Sequence, residues 1–254
     1  MIAKPENPDG YVMNITNKKE REMEMPNVVS RDKWIAARKQ LLAKEKDWNR
    51  QRDTLSAERR KLPMVRVEKD YVFEGPHGRR TLGDLFDGRR QLLIYHFMFE
   101  PDHEEGCKSC SFVADNFAGS LVHLAARDTS FAVISRAPLE KIERFKRRMG
   151  WSFPWLSSFG TDFNYDFQVT TDESHTEYNY APLAIQVGKV PPWGEMPGLS
   201  VFLRDGERLF HTYSTYTRGL DLFLNTYNFL DHTPLGRQEE GRPIMEWLRH
   251  HDKY

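Results

Sequence analysis

Residues Gln91 to Gly119, QLLIYHFMFEPDHEEGCKSCSFVADNFAG, constrain this chain most. An apolar run, Leu92 to Phe99, reads as a buried strand, and the polar stretch Glu100 to Gly106 reads as a turn. Cys107-Lys108-Ser109-Cys110 then opens a segment with Phe112, Val113 and Phe117 at helical spacing. A second apolar strand follows at Phe131 to Ser135. Helical residues lie between the two, which predicts a parallel pair joined by a right-handed crossover. Apolar residues make up 39% of the chain and aromatics 13%, enough to fill the core such a unit needs.

The chain has two cysteines, and both lie in this stretch. At i and i+3 on a first helical turn they share one face and can form a small-loop disulfide. Cys107 falls where unpaired backbone N–H groups and the helix dipole favour negative charge, and the thiolate is the reactive form. Cys107 is therefore the candidate nucleophile, and Cys110, one turn inward, the candidate resolving thiol. Lys108 favours the thiolate, whereas Asp102, Glu104 and Glu105 oppose it, and sequence does not fix the balance. Two other readings stand beside this one. The pair could be half of a zinc site, but Cys107-x2-Cys110-x12-His123 has Arg127, Asp128 and Thr129 where the fourth ligand should fall; His96 and His103 remain, at irregular spacing. The pair could also be inert core.

The strand, loop, Cys-x-x-Cys and helix resemble the active-site segment of thioredoxin-like proteins. Met196 to Glu207, MPGLSVFLRDGE, resembles that family's cis-proline loop followed by a hairpin. The resemblance implies that Pro197 is cis and faces the dithiol, and that Met196 contacts the substrate. Phe153 to Ser158, after a strand and the helix Pro138 to Met149, is similar to the peroxiredoxin branch. Glu104, however, stands where that branch has a threonine three residues before its cysteine. The wording EEGCKSCSFVADNF, SRAPLEKIERFKRRMGWSFPW and SFGTDFNYDF, within residues 30–254, resembles a bacterial thioredoxin-like family of unknown function. Some of its members carry the label dithiol-disulfide isomerase by homology.

Residues 1–29, with Pro5, Pro8, Gly10 and Pro26 and no apolar core of a secretory signal, read as a loose tail. A reduced, cytoplasmic setting follows, in which a Cys-x-x-Cys is more often catalytic or metal-binding than structural. Ser30 is a good N-cap for a long helix over 30–62, stopped by Pro63. Trp34, Leu41, Leu42, Trp48 and Leu55 stripe it, so it either lies across the domain or serves as a homodimerisation arm. Its alternating charges, with Arg50, Arg52, Arg59 and Arg60 among them, do not read as a nucleic-acid face. A strand is expected over Met64 to Phe73, a turn at Gly75 to Gly78, and short elements over Arg79 to Phe86. Arg136 ends the second core strand, where α/β folds place functional groups, though a surface arginine is the default. The aromatics between Trp151 and Phe167 are expected mainly in the core, with a pocket or partner surface as the alternative.

The segment at about 160–195 is an insertion relative to plain thioredoxin and could act as a lid. A hairpin over Gly198 to Tyr213, a closing helix over Leu220 to Leu230, and a last helix from Pro243 complete the chain. His250 and His251 are expected as solvated surface at its end. Formal net charge is zero and no 18-residue apolar span occurs, so neither nucleic acid nor membrane is an expected partner. No phosphate loop, nucleophile elbow or carboxylate pair appears, and neither cofactor nor metal is expected.

The sequence thus predicts an α/β, thioredoxin-like fold with a central mixed sheet flanked by helices. The expected organisation is a tail (1–29), a long helix (30–62), the domain (63–230) and a C-terminal helical extension (231–254). The expected activity is thiol-disulfide exchange on a disulfide-bearing protein or a small thiol or disulfide. A thiol peroxidase and a non-enzymatic binding module are the alternatives, because one fold serves all three.

Overall fold

The computed structural model describes residues 26–183 and 193–254. Most of the expected tail and part of the expected insertion therefore lie outside the described residues. The described residues divide into two units, with the boundary after Asp47. Helix α1 (Arg31–Arg59) begins in the first of them. Ser30 caps it as expected, its hydroxyl accepting the Lys33 N–H at 3.5 Å. None of its residues is buried, and Trp34, Leu41, Leu42, Trp48 and Leu55 all stay exposed.

In the second unit, β1 (Val65–Val67), β2 (Val72–Gly75) and β3 (Gly78–Thr81) come first. The centre is built by β4 (Gln91–His96), α2 (Lys108–Ala114), α3 (Leu121–Ala125), β5 (Thr129–Ser135), α4 (Leu139–Arg148) and β6 (Trp155–Ser157). After α5 (Phe163–Asp166) come four short strands, β7 (Thr170–Thr171), β8 (Glu177–Tyr178), β9 (Ala181–Pro182) and β10 (Gly194–Glu195). A hairpin of β11 (Gly198–Asp205) and β12 (Arg208–Tyr216), and then α6 (Asn225–Leu230), complete the regular elements.

Eight strands form one sheet in the order β1-β12-β11-β4-β5-β6-β2-β3. β4 and β5 are parallel, from Gln91 opposite Thr129 to His96 opposite Ile134, and β6 continues parallel beyond β5. β11 returns antiparallel against β4, and β12 against β11. A parallel β-α-β half joined through its first strand to an antiparallel hairpin, with a helix leaving that same strand, is the thioredoxin-like arrangement. The expected α/β mixed sheet is therefore present.

Alternation along β4 sorts its side chains onto two faces. Leu93, Tyr95 and then Phe97 face a core shared with α2, α4, Phe153 and Trp155. Leu92 and Ile94 face a second core with Phe73, Phe86, Leu156, Phe163 and Phe202. The aromatic segment thus feeds both cores, while Phe159 stays 52% exposed. Trp155 sits at the centre of the first core: its ring meets Phe97 at 4.6 Å, and its indole N–H donates to Ser135 Oγ at 3.0 Å. Trp155→Ala leaves a large void and removes one hydrogen bond from the Ser135 hydroxyl, which still donates to Phe97 O at 2.7 Å, and is expected to cost about 3–5 kcal/mol in urea unfolding.

Four expected elements differ. Met64 to Phe73 is not one strand, because β1 pairs with β12 at one edge of the sheet and β2 with β6 and β3 at the other. The polar residues between them leave the ladder, and Lys69 binds Asp162 and Asp166 at 2.8 and 2.7 Å. The dithiol helix stops at Ala114, before Phe117, which its helical spacing had included. There the Asn116 side chain donates to the Phe112 and Val113 carbonyls, and a 3-10 turn (Ala118–Ser120) intervenes before α3. The closing helix is a 3-10 segment, Thr217–Phe223, followed by α6, with Leu224 between them at ψ 80°. No helix follows Pro243. Met245 takes φ 62°, and apart from a 3-10 turn at His251–Lys253 this tail is held by side chains instead. No helix among the described residues is long and apolar enough to cross a membrane.

Candidate functional site

β4 carries the chain into the Glu100–Gly106 loop, and Cys107 is the N-cap residue of α2. Two backbone bonds fix the approach: Cys107 N–H donates to Met98 O at 3.0 Å, and Ser111 N–H donates to Cys107 O at 2.9 Å. Gly106 has no alternative, since a Cβ there would lie 2.6 Å from Phe97 Cε1 and 2.8 Å from Phe145 Cε1, both on buried rings.

The two thiols differ sharply in environment. Cys107 is half-buried, Cys110 is buried, and neither is in a disulfide in this structure. A hydrogen bond from the Cys110 thiol lowers the Cys107 pKa to about 6; the backbone N–H groups of Cys110 and Ser109 and the Ser109 hydroxyl add to it, against the opposing cost of burial. Burial, then the bond it gives Cys107, push Cys110 well above the ordinary thiol range. Cys110 Sγ also accepts the Met98 N–H at 3.4 Å. Tyr95 lies beside it with its hydroxyl buried and without a hydrogen bond of ordinary geometry.

Two of the three loop acids whose effect the sequence left open are paired with cations. Glu104 pairs with Lys141 and Arg144 at 2.8 and 2.7 Å, and Glu105 with Arg148 and Lys253 at 2.5 and 2.8 Å. Lys108 is exposed, and its ammonium donates to Glu246 O at 3.2 Å. Alkylation of the reduced protein is therefore expected to proceed first at Cys107, with a rate that rises through a midpoint near pH 6 while Cys110 stays protected. A midpoint at the ordinary thiol value would contradict this geometry.

Pro197 and Cys110 line the same cavity, so the two distant segments do meet. Pro197 is not cis: no cis peptide bond occurs among the described residues. Its loop is held instead by Tyr178, whose hydroxyl donates to Pro197 O at 2.7 Å and accepts the Thr217 N–H at 3.2 Å. Met196 does not line that cavity. Its side chain packs against the cluster of Val169, Tyr178, Leu183 and Tyr216, and its N–H donates to Val169 O at 2.8 Å.

His250 is a second correction. It is buried, not solvated; its Nε2–H donates to Gly106 O at 2.8 Å, and its ring meets Phe145 at 5.2 Å. His251, by contrast, is exposed and bonds Asp115 at 2.7 Å. The tail thereby reaches the residue next to the nucleophile, through a sequence that reads as a polar helix end.

Arg136 is no free surface arginine: it binds the buried Glu195 at 3.2 Å and lies over the Tyr165 ring at 5.0 Å. Glu195 also accepts from Thr170 and Asn164, each at 2.8 Å, and burial raises its pKa despite these partners. Neither cysteine belongs to a group with metal-ligand geometry among the described residues. The group that has it is Glu100, Asp102 and His103, while His96 is buried against Ser200 and His123 is exposed on α3. Tyr95 and Tyr178 were not singled out from sequence. β-Alternation alone places Tyr95 on the dithiol face, but nothing local marks Tyr178.

A family model, described as bacterial protein of unknown function (DUF899), matches residues 23–254. The chain belongs to this family. No curated protein matches it. Among solved structures, this DUF899 chain is similar to peroxidoxin BcpB of Mycobacterium tuberculosis, at 16% identity and a TM-score of 0.45, covering 65% of this chain and 95% of that one. Peroxiredoxin Q of Xanthomonas campestris gives 14% identity and a TM-score of 0.42, covering 65% and 95%. A hypothetical protein, SMc02350 of Sinorhizobium meliloti 1021, gives 16% and 0.33, covering 58% and 68%. With scores this low, the fold assignment rests on the sheet order above and not on these likenesses.

Proposed function

We propose that this DUF899 chain is a thiol-disulfide oxidoreductase in which Cys107 attacks and Cys110 resolves. The observation that carries the reading is the opposed tuning of two thiols joined by one hydrogen bond. The half-buried sulfur has its pKa lowered to about 6, and burial pushes the pKa of the buried one well above the ordinary thiol range. An attacking thiol works best with a pKa near ambient pH, and a resolving thiol must stay in reserve until the mixed disulfide exists.

The Cys107 thiolate attacks one sulfur of a disulfide RSSR. The Cys107–SR bond forms, the S–S bond breaks, and RS⁻ leaves and takes up a proton. Bonded now to the sulfur of RS, Cys107 no longer accepts the Cys110 thiol proton. That proton passes to the second departing RS⁻ as Cys110 attacks the Cys107 sulfur. The chain ends as the Cys107–Cys110 disulfide and the substrate as two thiols; an external dithiol reductant returns the chain to its starting state. The pairing of Glu104 and Glu105 with four cations supports the reading, because it removes the negative field that would slow attack.

The test offers the reduced protein, with excess dithiol, a disulfide in one reaction and a hydroperoxide in another. The reading expects disulfide consumption in proportion to protein. Consumption of hydroperoxide alone would replace it with a peroxidase, and consumption of neither would leave a binding module.

A further inference from the structure

A cavity of about 320 Å³ with a mostly apolar lining lies against Cys110, the thiol next to the nucleophile, while Cys107 itself does not line it. Cys110, Tyr95 and Met98 line one side, and Leu224, Met245 and Ile244 another. It therefore lies between the dithiol segment and the C-terminal tail. The tail is fastened in place: Lys108 to the Glu246 carbonyl, His250 to the Gly106 carbonyl, and Arg148 to Asp252 at 2.7 Å, with the Trp247 ring 5.7 Å from Phe112. An apolar cavity of roughly 150 Å³ accepts a benzene ring, so one of twice that volume holds about two rings or an equivalent alkyl chain.

Charged side chains also line the cavity, but each is already satisfied. Arg218 binds Asp221 at 2.8 Å. Arg237 grips Asp231 through two bonds of 2.7 and 2.6 Å, lies 3.5 Å from Asp221, and stacks 4.0 Å over the Tyr227 ring. Glu239 Oε1 accepts from Tyr227, Trp247 and the Met245 N–H, at 2.6, 2.8 and 3.0 Å. An anionic ligand entering here would lose its water and find Arg237 engaged by Asp231 and Asp221, with Arg218 held to Asp221 and turned largely to solvent. The least engaged polar group is the buried Tyr95 hydroxyl, which faces Cys110 without a hydrogen bond of ordinary geometry. A single donor suits a ligand that presents one weak acceptor, such as sulfur, on an apolar body.

We propose that the substrate of the dithiol is a small, uncharged disulfide with apolar substituents, seated in the cavity between Cys110 and the C-terminal tail. The assignment rests on the oxidoreductase reading above. It sets this site apart from one that grips an extended protein strand, and it disfavours charged tripeptide disulfides of the glutathione type. In the exchange already written, the cavity retains the R substituent while Cys110 displaces RS⁻ from Cys107.

Binding and exchange are tested separately. Dibenzyl sulfide, an unreactive thioether of the expected size, is titrated into the reduced full-length protein by calorimetry. The same titration is run on Ile244→Trp, a change at a 62% exposed rim position where the larger ring narrows the entrance. Saturable one-to-one binding, weakened about tenfold or more by Ile244→Trp and not competed by S-benzylglutathione, is the expected result. Turnover of dibenzyl disulfide is expected to exceed that of glutathione disulfide by about tenfold or more in kcat/KM, a preference that Ile244→Trp erodes. No saturable binding, or binding indifferent to Ile244→Trp, or equal competition by the charged analogue, overturns the inference. Exchange without thioether binding overturns this inference alone. Binding without exchange overturns the dithiol reading, and the substrate assignment falls with it.

Discussion

Cys107→Ser is expected to reduce disulfide exchange to the background rate of the reductant, whereas Cys110→Ser is expected to react once and stop. At pH 7 a thiol with a pKa near 6 is about nine-tenths thiolate, against a few per cent for an ordinary cysteine, so the attacking species is abundant only at Cys107. Serine at 107 removes that species and leaves a buried thiol whose pKa is pushed the other way. Serine at 110 removes the displacing sulfur and also the hydrogen bond that heads the causes of the Cys107 shift, so the first attack should slow and its pH midpoint should rise. Intact mass after mixing with a disulfide reads both effects. One substrate half should stay attached to Cys110→Ser and none to Cys107→Ser. An adduct on Cys107→Ser would show that the roles are reversed.

The second large effect lies away from the dithiol and concerns acid stability. His96 ends β4 buried, with Nε2 hydrogen-bonded to Ser200 at 2.8 Å, Nδ1 without a partner, and the ring stacked on Phe163 at 5.5 Å. Burial, with a smaller contribution from His211, lowers its pKa from 6.5 to about 3. The unfolded chain takes up the proton as pH falls through 6.5, while the folded chain resists until about 3. His96 therefore withdraws stability progressively across that window, on the order of 5 kcal/mol in all and about 3 kcal/mol by pH 4.5. His211, also shifted down by burial, adds to the loss in the same direction. Urea unfolding at pH 7 and pH 4.5 measures the slope. His96→Gln, which can keep a bond to Ser200 but does not titrate, should lose most of the difference. Equal slopes in the two proteins would mean that His96 is not buried neutral.

The parts of the fold that alternate or repeat were legible in the sequence. β4 and β5 are apolar runs, α4 carries Ile142 and Phe145 on one buried face, and Asp205-Gly206 turns the β11–β12 hairpin as its composition requires. The start of α2 at the Cys-x-x-Cys pair was legible for the same reason. The parts fixed by partners distant in sequence were not. Residues 64–73 alternate like one strand, yet Lys69 finds its acids nearly a hundred residues later. The tail from Pro243 has helical composition, but its side chains bind α2 and α4, and Met245 leaves helical space. Tyr178 and His250 belong to the site only through carbonyls at Pro197 and Gly106, and no local pattern announces such a bond. The charge balance around Cys107 was undecidable until Lys141, Arg144, Arg148 and Lys253 were placed beside the acids.

The most direct test of the central claim is a redox titration of the full-length protein. The chain is equilibrated in dithiothreitol buffers of graded potential, quenched with an alkylating agent, and read by intact mass. The account predicts one two-electron transition in which Cys107 and Cys110 lose reactivity together, with a tenfold change in the equilibrium constant for about every 30 mV. Two thiols that stay independently alkylatable at every potential would contradict it.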